Sequence, residues 1–261
     1  MDLATVLGLI VGFAMMGGAL AFMGWHSGGQ LNLAGFIDPP SFMMVVGGTF
    51  AVALVGFPLY SVLGMARTVK RIFFRKPENL AATIEQIVEL AEVARREGIL
   101  ALENRLEEVR NPFIMLGIRM AVDGIKPETV EEVLRTEMKA AELRHVQGKK
   151  VFELMGRCGP AFGMMTTLFG LILMLGNLSN ADAIGPSMAL ALVGTLYGVV
   201  AANLIYIPLS EKLWCMHTEE MLAKEIVLRG VLAIQSGDSP RIVEQKLIAF
   251  LPPKFRPPDA Y

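Results

Sequence analysis

Long apolar runs without charge alternate along the chain with stretches in which charged and apolar residues interleave. Four runs contain no Asp, Glu, Lys or Arg: residues 3–25, 42–65, 160–178 and 186–209. Each is close to or above the roughly 20 apolar residues that a helix needs to cross a bilayer. The pattern predicts an all-α integral membrane protein with four transmembrane helices and a cytoplasmic helical domain. The first run lacks a basic start and is long for a signal peptide, so it reads as a retained span.

Between the second and third runs the period becomes helical. Pro77 can start a helix, and Leu80, Ile84, Ile87, Val88 and Ala91 recur on one face. Ile99, Leu102, Leu106 and Val109 continue the stripe until Asn111-Pro112 stops it. Residues 113–122 read as a short apolar helix ended by Asp123-Gly124. Pro127 starts a charged helix of about 30 residues that could run into the third span. The tail reads as helices over 211–235 and 240–251, parted by Ser236-Gly237-Asp238-Ser239. The chain thus divides into a first span pair (1–66), a cytoplasmic helical domain (67–157), a second span pair (158–210) and a helical tail (211–261).

Composition sharpens this. The chain is 53% hydrophobic and 19% charged, with a mean hydropathy of +0.49. All 24 Lys and Arg residues fall within 67–157 or 212–256. The short loops within each span pair hold none. The positive-inside rule therefore places the middle segment, the tail and both termini in the cytoplasm. A net charge of −1 offers no footprint for nucleic acid. Cys158 and Cys215 form no disulfide framework, and His26, His145 and His217 form no zinc motif. No Ser/His/Asp set, phosphate loop or carboxylate pair stands out, so neither an enzyme nor a bound cofactor is expected.

Inside the spans, Gly8 and Gly12, and Gly194, Gly198 and Ala202, recur every four residues. Such faces serve packing within the chain or between copies. Thr166 and Thr167 in the third span, and Thr195, Tyr197 and Asn203 in the fourth, are the notable polar groups. A Thr hydroxyl can bond the carbonyl one turn back, with no further role. Alternatively these hydroxyls line a path for water, H+ or Na+, since hard cations prefer oxygen ligands. Membrane ion pathways commonly carry an ionisable group near the midplane, and no span here has one. If the chain conducts ions, another chain must supply the carboxylate. Pro160 reads as the first residue of its span and Pro208 as a kink near the end of its own. Arg95, Arg96 and Glu103 belong to a dense charged surface. It is either a solvated face or a docking face for a partner.

These motifs together resemble the flagellar stator proteins of the MotA/PomA family, over essentially the whole chain. The chain opens with MDLATVLGLIVGF. ARREGILALE, RHVQGKKVF, PAFGMMTTLFGL, NLSNADAIGPSMALALVGTLYG and GVLAIQSGDSPR follow in order. The similarity is closest to the PomA-like, often sodium-driven, branch. The resemblance implies a homo-oligomer, a pentamer around a dimer of MotB/PomB-type subunits whose membrane Asp is essential. It places the chain in the bacterial inner membrane. Passage of H+ or Na+, as cargo rather than cofactor, would drive the rotor switch protein FliG. It implies rotor contacts at Arg95, Arg96 and Glu103, coupling prolines at Pro160 and Pro208, ion-path hydroxyls at Thr167, Thr195 and Thr166, and an outer-loop acid at Asp38. No catalytic residue or metal site is implied. Gly194 replaces the first of two threonines common in that branch, and Thr166 stands where Gly is usual. Thr167 with Thr195 lean towards Na+. The rival readings are an ExbB/TolQ-type motor subunit, which usually has three spans, a small-solute transporter, and a membrane scaffold.

Overall fold

The structure, a computed structural model, describes residues 3–26, 33–74, 79–109 and 111–256. Its regular elements are helices, and four helical stretches are long and apolar enough to cross a membrane. We name them α1 (Leu3–His26), α2 (Pro39–Gly56), α3 (Leu59–Phe74), α4 (Leu80–Glu97), α5 (Leu102–Arg105), α6 (Pro112–Val122), α7 (Pro127–Gly176), α8 (Ala181–Gln235) and α9 (Pro240–Ile248). The contacts divide into two compact units: residues 1–76 with 146–214, and 77–145 with 215–261.

In the first unit, α1 exposes most of its surface, as expected of a helix surrounded by lipid. The second span departs from the expected 42–65. It starts at Pro39, where Asp38 caps it by accepting the Ser41 N–H at 2.8 Å. It ends at Gly56, because Phe57 is extended (φ −135°, ψ 153°). Proline disfavours the α conformation in the residue before it, so Pro58 turns one expected span into two helices, α2 and α3. Periodicity could not reveal this break, because both sides are apolar.

The third and fourth spans are not separate helices either. α7 runs unbroken for 50 residues, about 75 Å at 1.5 Å per residue. The expected continuation of the charged helix into the third span is therefore observed. Pro160 lies inside α7 and does not begin a helix, which corrects the sequence expectation. α8 begins at Ala181, ahead of Pro186, with the Asn180 side chain capping its first turn. It continues to Gln235 through a wider π-helical turn at Ala201–Tyr206. In that turn the Ile207 N–H reaches the Ala202 carbonyl, five residues back. Pro208 follows immediately. Proline lacks an N–H and crowds the carbonyl four residues earlier, and a π turn relieves both demands.

In the second unit, one apolar cluster joins α4, α5, α6, α8, α9 and the first turns of α7. Ile84, Ile87, Leu102, Ile114, Ile118, Leu134, Ile226, Val231 and Leu247 are among its buried members. The predicted start at Pro77 lies outside the described residues. Among the described residues α4 begins at Leu80, with Asn79 accepting the Ala82 N–H. The stripe from Ile84 to Val109 was expected to be one helix. It breaks at Gly98, whose φ of 89° only glycine adopts readily. Leu102, Leu106 and Val109 still reach the core, but from α5 and the turn after it. α6 matches expectation. Asn111 caps it, and Gly124 (φ 72°) lets the Ile125 N–H return to the Met120 carbonyl.

Candidate functional site

The third and fourth spans approach backbone to backbone. A Cβ added at Gly198 would lie 2.6 Å from the Gly159 carbonyl oxygen and 2.9 Å from Gly163 Cα. One added at Gly12 would meet the Leu204 side chain, also at 2.6 Å. Gly12, Gly194, Gly198 and Ala202 therefore serve packing within this chain, whereas a Cβ at Gly8 would meet nothing within 4 Å.

This closeness brings Thr167 and Thr195 together. Their hydroxyl oxygens are in hydrogen-bond contact. Thr167 Oγ1 also lies 3.1 Å from the Gly163 carbonyl and 3.1 Å from the Ala191 carbonyl. Thr195 Oγ1 lies 3.1 Å from the same Ala191 carbonyl. Four oxygens thus share two hydroxyl protons. At least one hydroxyl must accept, and spare lone pairs remain at the cluster. Both threonines are half-buried. The two carbonyls carried no side-chain signal in the sequence and could be found only from the helix pairing.

Thr166 behaves differently. It is fully buried and donates to the Phe162 carbonyl at 2.9 Å, one turn back on its own helix. Its side chain fills the space above Gly194, where an added Cβ would fall 2.5 Å from Thr166 Cβ. Thr166 and Gly194 therefore complement each other: the bulk at this contact sits on α7 and not on α8. The local reading of the hydroxyls holds for Thr166, and for Asn203, which bonds the Val199 carbonyl.

Further polar contacts tie α2 to α8. The Asp38 N–H donates to the Tyr197 hydroxyl at 3.2 Å, and that hydroxyl donates to the Phe36 carbonyl. Ser41 Oγ donates to the Leu190 carbonyl at 3.2 Å, and Thr49 Oγ1 meets the Tyr206 hydroxyl at 3.3 Å. Ser41 and Thr49 are fully buried. Sequence reasoning passed over Ser41, Thr49 and Tyr206; a hydroxyl in a charge-free run was the available signal for Thr49 and Tyr206, whereas Ser41 stands just before one. Asp38 is thus a helix cap. Pro160 stands seven residues from Thr167, about two helical turns along α7.

The charged residues sit at helix ends in the second unit. Arg95 and Arg96 occupy the last turn of α4, and Glu103 the first turn of α5. Each sign suits the helix dipole it faces. Arg95 Nη1 reaches the Gly237 carbonyl at 3.4 Å, and Arg96 lies 3.8 Å from Glu92. All three remain exposed, and the Gly98 break between them also exposes Leu100. His145 and His217, distant in sequence, meet with their Nδ1 atoms 3.3 Å apart. Nearby, a hydrogen bond from Lys139 and then its charge hold the Glu142 carboxyl below the usual carboxylate range, and His217 adds to this.

The comparisons with known proteins agree with this architecture. Residues 105–225 match the MotA/TolQ/ExbB proton channel family. The chain is 40% identical over 256 residues to motility protein A of Borreliella burgdorferi, covering 98% of this chain and 96% of that protein. It is 39% identical over 251 residues to the chemotaxis protein PomA of Vibrio alginolyticus, covering 96% of each. A chain of the flagellar MotAB stator complex from Bacillus subtilis superposes with a TM-score of 0.87 at 28% identity, over 96% of this chain and 97% of that one. The chain therefore belongs to the MotA/PomA family of motility proteins.

Proposed function

We propose that this chain is the ion-conducting A-type stator subunit of a bacterial flagellar motor and works with a MotB/PomB-type subunit. The observation that carries the mechanism is a lone-pair-rich oxygen cluster, Thr167, Thr195 and two carbonyls, in spans that hold no charged residue. Such a cluster can strip water from a hard cation or relay it. It cannot hold a compensating negative charge. The partner's membrane Asp supplies that charge, and binding or releasing the ion switches it. The ion is H+ or Na+, and the Thr167–Thr195 pair leans towards Na+. Swimming speed against external Na+ at fixed pH decides between them.

Each charge that moves down 100 mV releases about 2.3 kcal/mol. Only a contact that differs between two states can convert this into motion. α7 and α8 each run unbroken from a threonine of the cluster, through Pro160 or the π turn at Pro208, into the second unit. These sites are assigned as couplers. Arg95, Arg96 and Glu103 are assigned to the rotor protein FliG, and the assembly to a pentamer around a partner dimer. It lies in the inner membrane with both chain termini in the cytoplasm. The ExbB/TolQ-type alternative is disfavoured, because the match to motility proteins spans the whole chain and not only the shared channel segment.

Joint reversal, Arg95→Glu with Glu103→Lys, tests the rotor assignment. Motility should fall strongly while membrane insertion stays normal. Normal torque in that variant would refute the assignment.

A further inference from the structure

We infer that the exposed face of α3 is a binding surface for the anionic lipid headgroups of the leaflet at the end of α2. α3 has two unlike faces. Val62 and Ile72 are buried, with Met65 and Val69 partly buried on the same side. Opposite them, Leu59, Leu63, Arg67, Lys70 and Phe74 form one ridge at helical spacing, and all are exposed. Tyr60 and Arg71 flank it.

The order along this ridge is informative. Leu59, Tyr60 and Leu63 come first, with relative exposures of 61–68%. The cations start at Arg67, about 12 Å further along the axis. A solvated face would not open with three large apolar side chains. A face that leaves the acyl chains and enters the phosphate layer would. The 18 residues of α2 span about 27 Å, close to the hydrocarbon thickness, so α3 starts near the membrane boundary. An aromatic residue at that depth, followed by basic ones, is the arrangement that membrane interfaces favour.

Charge complementarity selects lipid over a second copy of the chain. The first unit carries nine Lys and Arg residues against five acids, and two of those acids, Asp38 and Asp182, lie at the opposite ends of the spans. A neighbouring copy's membrane unit offers only Glu153 and Glu211 among its described residues on the basic side. Lipid phosphates provide the negative charge that the protein lacks there, at roughly a five-fold gain in binding per cation near the surface.

The test is amide hydrogen exchange across α3, with the full-length chain in nanodiscs of phosphatidylcholine alone or with 30% phosphatidylglycerol. Phosphatidylglycerol should slow exchange in α3 by up to about thirty-fold for two cations, and high salt should remove the effect. Arg67→Gln with Lys70→Gln should abolish the difference, while Arg67→Lys with Lys70→Arg should keep it. Equal exchange in both lipids would overturn the proposal. So would a loss of protection in the Gln variant in phosphatidylcholine alone, which would mark a purely structural role. Protection that follows subunit association instead of lipid composition would assign the face to a second copy and equally overturn it.

Discussion

Thr166 and Gly194 should behave as one unit. Gly194→Thr alone would set a Cβ 2.5 Å from Thr166 Cβ, where carbon atoms prefer about 3.5–4.0 Å. The two helices must separate by roughly 1 Å, because a change of rotamer cannot move the Thr166 Cβ. Overpacking of this kind costs about 1–3 kcal/mol. Thr166→Gly alone removes Cβ, Cγ2 and Oγ1 at a fully buried position and with them the bond to Phe162. That should cost about 1–2 kcal/mol. Together the two changes move the bulk to α8 and restore the contact. The double variant should lie within about 1 kcal/mol of the parent, a coupling of about 2–4 kcal/mol, which is large for a single contact. The assay is thermal unfolding of the four proteins in one detergent. A stability change of 2 kcal/mol corresponds to roughly 4–8 °C at this chain length. Additive losses in the double variant would refute this complementarity and the packing of α7 on α8 from which it is read.

Two other variants probe the site. Thr195→Val keeps the shape but removes a hydroxyl from the oxygen cluster. With the partner present, conduction should fall at least ten-fold while stability falls by no more than about 1.5 kcal/mol. Thr166→Val should leave conduction unchanged, because its hydroxyl is buried on its own helix. Gly98→Ala forces a side chain into a backbone region essentially reserved for glycine, at about 1–3 kcal/mol. Because Gly98 separates Arg95 from Glu103, it should reduce torque more than membrane insertion, as read by bead rotation alongside membrane fractionation.

Much of the architecture was legible from where charge is absent. The four spans and the extension of α7 into the membrane follow from runs that polar residues delimit sharply. Breaks within a run were not legible from periodicity, although Pro58 was an available signal. Phe57-Pro58 interrupts a segment that is apolar on both sides, so no change of period marks it. The π turn before Pro208 answers a steric demand that a proline signals, but its form depends on the backbone. The site divides in the same way. Thr167 and Thr195 could be named from composition, because hydroxyls stand out in charge-free helices. Their contact, and the opposite behaviour of Thr166, depend on how closely Gly159 and Gly163 let α8 approach. His145 and His217, 72 positions apart, carry no spacing signal at all.

In the proposed mechanism the oxygen cluster conducts only with a carboxylate from another chain. The direct measurement is ion flux into proteoliposomes that contain this chain alone, the chain with its B-type partner, or the chain with a partner whose membrane Asp is replaced by Asn. Flux is expected in the intact complex only. Flux through this chain alone, at a rate comparable to the complex, would contradict that mechanism.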